Sequence, residues 1–266
     1  MHIIIGGNNS FMTSHGFRYI VHTVLTNDKI GKKLAHLVMR QNYRKCAIIW
    51  EEDGYGEDLA YHFQTALDED TLVFSRSYAR VEGKTEFRDF IDELRSADPD
   101  IIFFAGLEPW AGDFFRTARQ ARLQTPVLGA FSDTPSMLEA AGPALEGAVF
   151  FDFYDPRASS PENQVFVAKF RKRFGRDPDT FAAQAYDAMM LLAAAVEKTH
   201  SANPLDLSYA IRFMDAWTGV NGVYKFDSRG ELMDKPIYLK QIRSGRAVTI
   251  EDLSPQLFSA QERRGS

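Results

Sequence analysis

The chain has 266 residues, enough for two lobes of ordinary size. Apolar residues make up 45% and charged residues 25%, the balance of a globular chain, and a net charge of −5 with scattered Lys and Arg argues against a nucleic-acid surface. The single cysteine, Cys46, excludes an intrachain disulfide; inside an apolar run it reads as a buried structural thiol rather than a nucleophile.

No apolar run reaches the roughly 18 residues that a membrane span needs. The opening residues, Met1-His2-Ile3-Ile4-Ile5-Gly6-Gly7, lack the basic start and long apolar core of a signal peptide. The expectation is either a cytoplasmic protein or a natural chain that starts earlier.

Residues 3–5 read as a strand end followed by a polar loop, Gly6-Gly7-Asn8-Asn9-Ser10. Without G-x-G-x-x-G or a Lys-Ser/Thr partner, that loop reads as a plain turn rather than a phosphate cradle. Residues 17–24 are extended and partly β-branched. Thr26 or Asn27 then suits a helix cap, Asp28 suits its first turn, and Ile30, Leu34, Leu37 and Val38 mark its buried face.

A regular alternation follows. Strands are expected at 46–50, 71–78, 100–105, 126–129 and 148–153, with helices between them at 57–68, 85–95, 111–121 and 135–140. Strand starts recur roughly every 25 residues, the spacing of βα units, so the expected fold is α/β with a doubly wound parallel sheet. Beyond the loop at 154–161 come three helices, at 161–174, 180–199 and 206–214, with hardly a strand between them. The middle one is apolar round much of its surface, through Tyr186, Met189, Met190, Leu192, Ala193 and Val196, and expects cover on more than one side. A strand over 223–227, a turn at Ser228-Arg229-Gly230, a final strand over 237–242 and a polar tail from Ser254 complete the chain.

These elements divide into one complete lobe, 25–153 with 226–250, and one incomplete lobe, 1–24 with 154–225, ahead of a tail over 251–266. Three helices and one or two short strands cannot bury their apolar faces on a sheet that is not there. A chain with so incomplete a lobe would either be a remnant that binds no solute or need a partner chain, such as a second copy, to cover 182–196.

Small ligands bind beyond the carboxyl ends of strands in an open α/β sheet. Tyr55 lies in such a loop, between the strand 46–50 and the next helix. Glu108 and Trp110 lie in another, where Trp110 reads as packing on its own helix rather than on a ligand. Asp133 reads equally as a helix N-cap and as a ligand group. Asp187 reads as a local cap or ion-pair partner. Glu51, Glu52 and Asp53 read as a solvated loop rather than a Mg²⁺ site. His2, His15, His22, His36, His62 and His200 form no metal-ligand spacing, and no G-x-S-x-G nucleophile elbow is present, so neither metal nor catalysis is expected.

Several stretches, in this order and spacing, carry a resemblance. They include Phe17-Arg18-Tyr19, Tyr55-Gly56-Glu57-Asp58-Leu59-Ala60, Asp100-Ile101-Ile102-Phe103-Phe104-Ala105-Gly106, Pro126-Val127-Leu128-Gly129, Ala185-Tyr186-Asp187-Ala188 and Gly222-Val223-Tyr224-Lys225-Phe226-Asp227. The sequence resembles the type I periplasmic solute-binding proteins of the branched-chain amino acid (leucine/isoleucine/valine-binding) ABC transporter group. The resemblance implies two α/β lobes joined by three strands, closing on a solute by hinge rotation near 18–26, 153–157 and 224–228 and docking on membrane permease subunits outside the cytoplasm. It also implies that the family's signal peptide and the opening units of its first lobe have no counterpart here, nor do the groups there that hold a ligand carboxylate.

Carried over by position, Tyr55 matches a cleft tyrosine, and Leu107 falls where a second often lies. The loop with Phe131 and Asp133 matches the region of an acidic anchor, and Tyr186 matches a first-lobe aromatic facing the cleft. The ligand candidates are therefore Tyr55, Leu107, Glu108, Phe131, Asp133 and Tyr186, with no cofactor. Leu107 and Phe131 depart from the family pattern, which leaves an α-amino acid, an apolar or aromatic acid and another small metabolite equally open. Two rival functions stay open: a ligand-sensing domain of a regulator or receptor with the same fold, and a doubly wound nucleotide-dependent enzyme.

Overall fold

A computed structural model describes residues 1–9, 11–14, 16–79 and 87–253. The expected helix start at Thr85 and the tail from Ser254 lie outside the described residues.

In chain order the strands are β1 (His2–Ile4), β2 (Ile20–His22), β3 (Cys46–Glu51), β4 (Leu72–Tyr78), β5 (Ile101–Ala105), β6 (Val127–Gly129), β7 (Val149–Asp152), β8 (Trp217–Gly219), β9 (Gly222–Tyr224), β10 (Tyr238–Arg243) and β11 (Arg246–Asp252). The helices are α1 (Phe11–Ser14), α2 (Asn27–Arg40), α3 (Gly56–Gln64), α4 (Arg88–Ala97), α5 (Trp110–Gln120), α6 (Pro135–Ala141), α7 (Pro161–Phe174), α8 (Thr180–Thr199) and α9 (Pro204–Arg212).

One lobe is built on a seven-stranded sheet of order β11-β10-β7-β6-β5-β3-β4. β3 to β7 run parallel, as the βα spacing predicts. β10 and β11 add an antiparallel edge, so the sheet is mixed rather than wholly parallel. β11 is absent from the sequence reading and reaches Asp252, two residues into the segment assigned to the tail. It escapes notice because an edge strand carries polar side chains, here Arg246, Thr249, Glu251 and Asp252.

Side chains alternate across this sheet. Cys46, Ile48, Phe103 and Leu128 point to one face and pack with α2 and α3. Ala47, Ile49, Ile102, Phe104 and Phe150 point to the other and pack with α4, α5 and α6. Phe104 stacks on Phe114 with ring centres 4.5 Å apart. Cys46 is fully buried as expected, and burial pushes its thiol pKa up to about 12.

Thr26 holds the N-cap position of α2, but its hydroxyl bonds Asp28 Oδ1 instead of a backbone N–H. Asn27 reaches across to the start of α3, donating to Asp58 Oδ2 at 2.9 Å. This fixes where α3 begins, and so where Tyr55 stands.

The other lobe has two short parallel strands, β1 and β2, the hairpin β8–β9, and α7 to α9. The chain passes between lobes at 22–27, 152–161 and 224–238. One core continues from the α2–α3 side through Tyr224 to Leu191, Ala195, Leu207 and Ile211 of α8 and α9. The outer side of α8 is left bare: Met189 is 65% exposed, and Tyr186, Met190 and Val196 are exposed too.

Asp187 corrects its sequence reading. It is fully buried and bonds residues more than thirty positions away, accepting from Val220 N, Asn221 N and Tyr224 Oη, each at 2.8 Å. Burial raises its pKa against those three hydrogen bonds. Tyr224 Oη also accepts from Lys235 Nζ at 2.8 Å, and Lys235 donates to Thr23 O at 3.4 Å. Burial lowers the Lys235 pKa to about 7, opposed by the Asp187 charge. α8 and two of the three crossings are thereby joined in one buried network.

Candidate binding cleft

The turn after β3 sets the site. Asp53 Oδ1 accepts from Tyr55 N at 3.1 Å and from Gly56 N at 2.6 Å, closing the loop and capping α3. A Cβ on residue 56 would lie 2.5 Å from Glu51 O and 2.8 Å from Ala105 O, so only glycine fits there. Tyr55 is thereby turned from the strand end toward a cavity of about 320 Å³ between the lobes. Its hydroxyl donates to Ala130 O at 3.3 Å, and burial, then the Asp53 and Glu108 carboxylates, raise its pKa.

On the sheet-lobe side Tyr55, Leu107, Phe131 and Ser132 line the cavity, and Phe151, Asp152 and Phe153 form its floor. Leu107 N donates to Glu51 Oε2 at 3.3 Å. Glu51 is fully buried, so the acidic run is not a solvated loop: its first member faces inward and holds the neighbouring strand-end loop. Phe131 stacks on Phe150 at 4.8 Å between ring centres.

Three of the six candidates do not line the cavity. Glu108 Oε1 accepts from Thr134 Oγ1 at 3.0 Å. Asp133 is half-buried, its pKa raised by burial against the Lys240 charge. It does not cap α6 either, because Thr134 Oγ1 accepts from Met137 N at the N-cap position. Tyr186 packs on Phe166 at 4.7 Å, with 40% of its surface exposed. Trp110 is half-buried against the α4–α6 side of the core and also stands outside the cavity.

The carboxylate that does reach the cavity is Asp152, and it is occupied. Its Oδ1 accepts from Phe153 N at 2.7 Å, and its Oδ2 takes the buried Lys240 ammonium. Burial would lower the Lys240 pKa, but the Asp152 and Asp133 carboxylates raise it overall. A buried pair of this kind offers a ligand little net charge.

The opposite wall comes from Asn8 and Asn9 with the Gly6-Gly7 turn, a loop that sequence reading took for a plain turn, and from Thr180, Phe181 and Gln184, which it did not single out. Asn9 Nδ2 donates to Gly54 O at 3.0 Å, linking the two lobes beside the cavity. Thr180 and Gln184 carry the one available signal, polar residues four apart at the start of a largely apolar helix. Among the described residues no three His, Cys, Asp or Glu side chains converge as metal ligands, and no helix is long and apolar enough to cross a membrane.

Comparison with known proteins places this architecture. A family model described as periplasmic binding protein matches residues 3–247. The Leu/Ile/Val-binding protein homolog 2 of Brucella abortus is 28% identical over 215 residues, covering 78% of this chain and 56% of that protein. The leucine-specific-binding protein of Salmonella typhimurium is 28% identical over 232 residues, covering 85% and 62%. The chain thus spans about three-fifths of these relatives. Among solved structures, the leucine binding protein LivK of Thermotoga maritima superposes with a TM-score of 0.86 at 22% identity, covering 95% of this chain and 73% of that one. An ABC transporter substrate-binding protein of Desulfitobacterium hafniense, in complex with Leu, gives a TM-score of 0.80 at 26% identity, covering 93% and 72%. With the family model spanning nearly its whole length, the chain belongs to the periplasmic binding protein family.

Proposed function

We propose that this chain binds a small organic solute, an amino acid or a similar molecule, in the cavity between its lobes, as the substrate-binding component of an ABC uptake transporter. The observation that carries this reading is the position of Tyr55, at a strand's carboxyl end and facing first-lobe residues across a cavity of about 320 Å³. Its ring offers a flat apolar face, and Leu107, Phe131, Phe151 and Phe153 extend that surface. Family membership and the names of the relatives support transport rather than turnover.

In this reading the lobes close by rotation about the three crossings. The closed form docks on membrane permease subunits, and the protein works in the periplasm. The bare side of α8, with Met189 and Met190 exposed, supports one further element: a second copy of the chain covers it.

Thermal-shift screening against amino acids and small organic acids tests the reading. A ligand raises the melting temperature of the wild type. Tyr55→Ala abolishes most of that rise; a full response in the variant would remove Tyr55 from the site.

A further inference from the structure

Two polar side chains of the cavity wall have no hydrogen-bond partner among the described residues. Thr180 and Gln184 sit one helical turn apart at the start of α8, on the same face, and both line the cavity. Thr180 is 3% exposed and Gln184 2%. Thr180 Oγ1 is buried with no hydrogen-bond partner. The Gln184 carboxamide makes no hydrogen bond among the described residues. Buried polar groups in native proteins are nearly always paired, so the orphaned Thr180 hydroxyl, with the unbonded Gln184 carboxamide beside it on the cavity wall, points to a partner there.

The charges nearby narrow what that partner is. The start of α8 is already capped by a carboxylate: Asp179 Oδ1 accepts from Ala182 N at 2.8 Å, and Asp179 O accepts from Ala183 N at 3.1 Å. Its other carboxylate oxygen, Oδ2, accepts from Arg176 Nη1 at 3.2 Å, so the helix start already holds an ion pair and offers an anion no free cation. On the floor, Asp152 is held by Lys240 and Phe153 N, which leaves it no pull on a ligand cation. The groups left are neutral, and each can both donate and accept: one hydroxyl and one carboxamide. A hydroxyl is the neutral complement that satisfies both. Phe181, Phe151 and Met12 beside them suit an apolar body.

We propose that Thr180 and Gln184 read a hydroxyl group at the first-lobe end of the bound solute, so that the cleft prefers a hydroxylated solute to its unhydroxylated counterpart. This rests on the solute-binding reading above.

Calorimetric titration of the full chain with three matched pairs tests it: benzoate and 4-hydroxybenzoate, phenylalanine and tyrosine, valine and threonine. In at least one pair the hydroxylated member binds about fivefold tighter or more, the scale of one net hydrogen bond. In the double variant Thr180→Val with Gln184→Leu the preference falls to within about twofold. Gln184→Met alone serves if the double variant does not fold. Binding without a hydroxyl preference in any pair, or a preference that survives in the variants, overturns this inference and leaves the solute-binding reading standing. No binding of any probe by the wild type counts against both.

Discussion

In the sheet lobe every residue of β5 is buried, because α2 and α3 cover one face of the sheet and α4, α5 and α6 the other. In the other lobe α8 is longer and richly apolar, yet Tyr186, Met189, Met190 and Val196 remain exposed. Behind α8 stand two strands of three residues each, where the sheet lobe has seven strands. Apolar composition is similar in the two places; what differs is how many packed layers are there to meet it. Burial is a property of partners as much as of side chains.

Substitution breaks or sharpens this contrast. Phe104→Ala removes a ring stacked between Phe114 and Tyr78 in the sheet lobe and costs about 3–5 kcal/mol by chemical denaturation.

The Lys235 network gives the next largest effect, on the order of a few kcal/mol across its pH window. The folded pKa of Lys235 is about 7, below its ordinary value of 10.5, so between these values the unfolded chain binds the extra proton. Stability therefore rises with pH from about 7 to 10.5 and is flat below. Lys235→Met abolishes that slope, as urea denaturation at several pH values checks. A slope unchanged in the variant would place its source elsewhere.

Tyr55→Ala weakens solute binding about tenfold or more by calorimetry, while Tyr55→Phe keeps the apolar face and loses much less. Smallest is Met189→Ser, on the bare side of α8. It changes monomer stability by less than about 0.5 kcal/mol. If a second copy covers α8, the same variant lowers the apparent mass in size-exclusion chromatography with light scattering; a wild-type monomer at high concentration would sink that covering.

The sheet lobe was legible in the sequence because its strands are buried on both faces and so read as unbroken apolar runs, as at Cys46 to Ile49. β8 and β11 were not, being short or at an edge, where side chains meet water and carry little pattern. Tyr55, read from its loop position and from the resemblance, lines the cavity. Tyr186 and Gln184 show why the helical wall was not legible. They lie two residues apart, about 200° round the helix, so when one faces the cavity the other faces away. An aromatic residue on an apolar helix marks no direction; only the register of α8 on its neighbours does. Asp187 was misjudged for a related reason, since its three donors come from a hairpin distant in sequence.

Cys46 has a practical consequence. A thiol sealed under α2 and α3 at the start of β3, with its ionisation pushed to about pH 12, does not react with maleimides while the protein is folded. A cysteine introduced on each lobe beside the cleft would then be the sole target for a fluorophore, and the distance between two dyes would report directly on opening and shutting in solution.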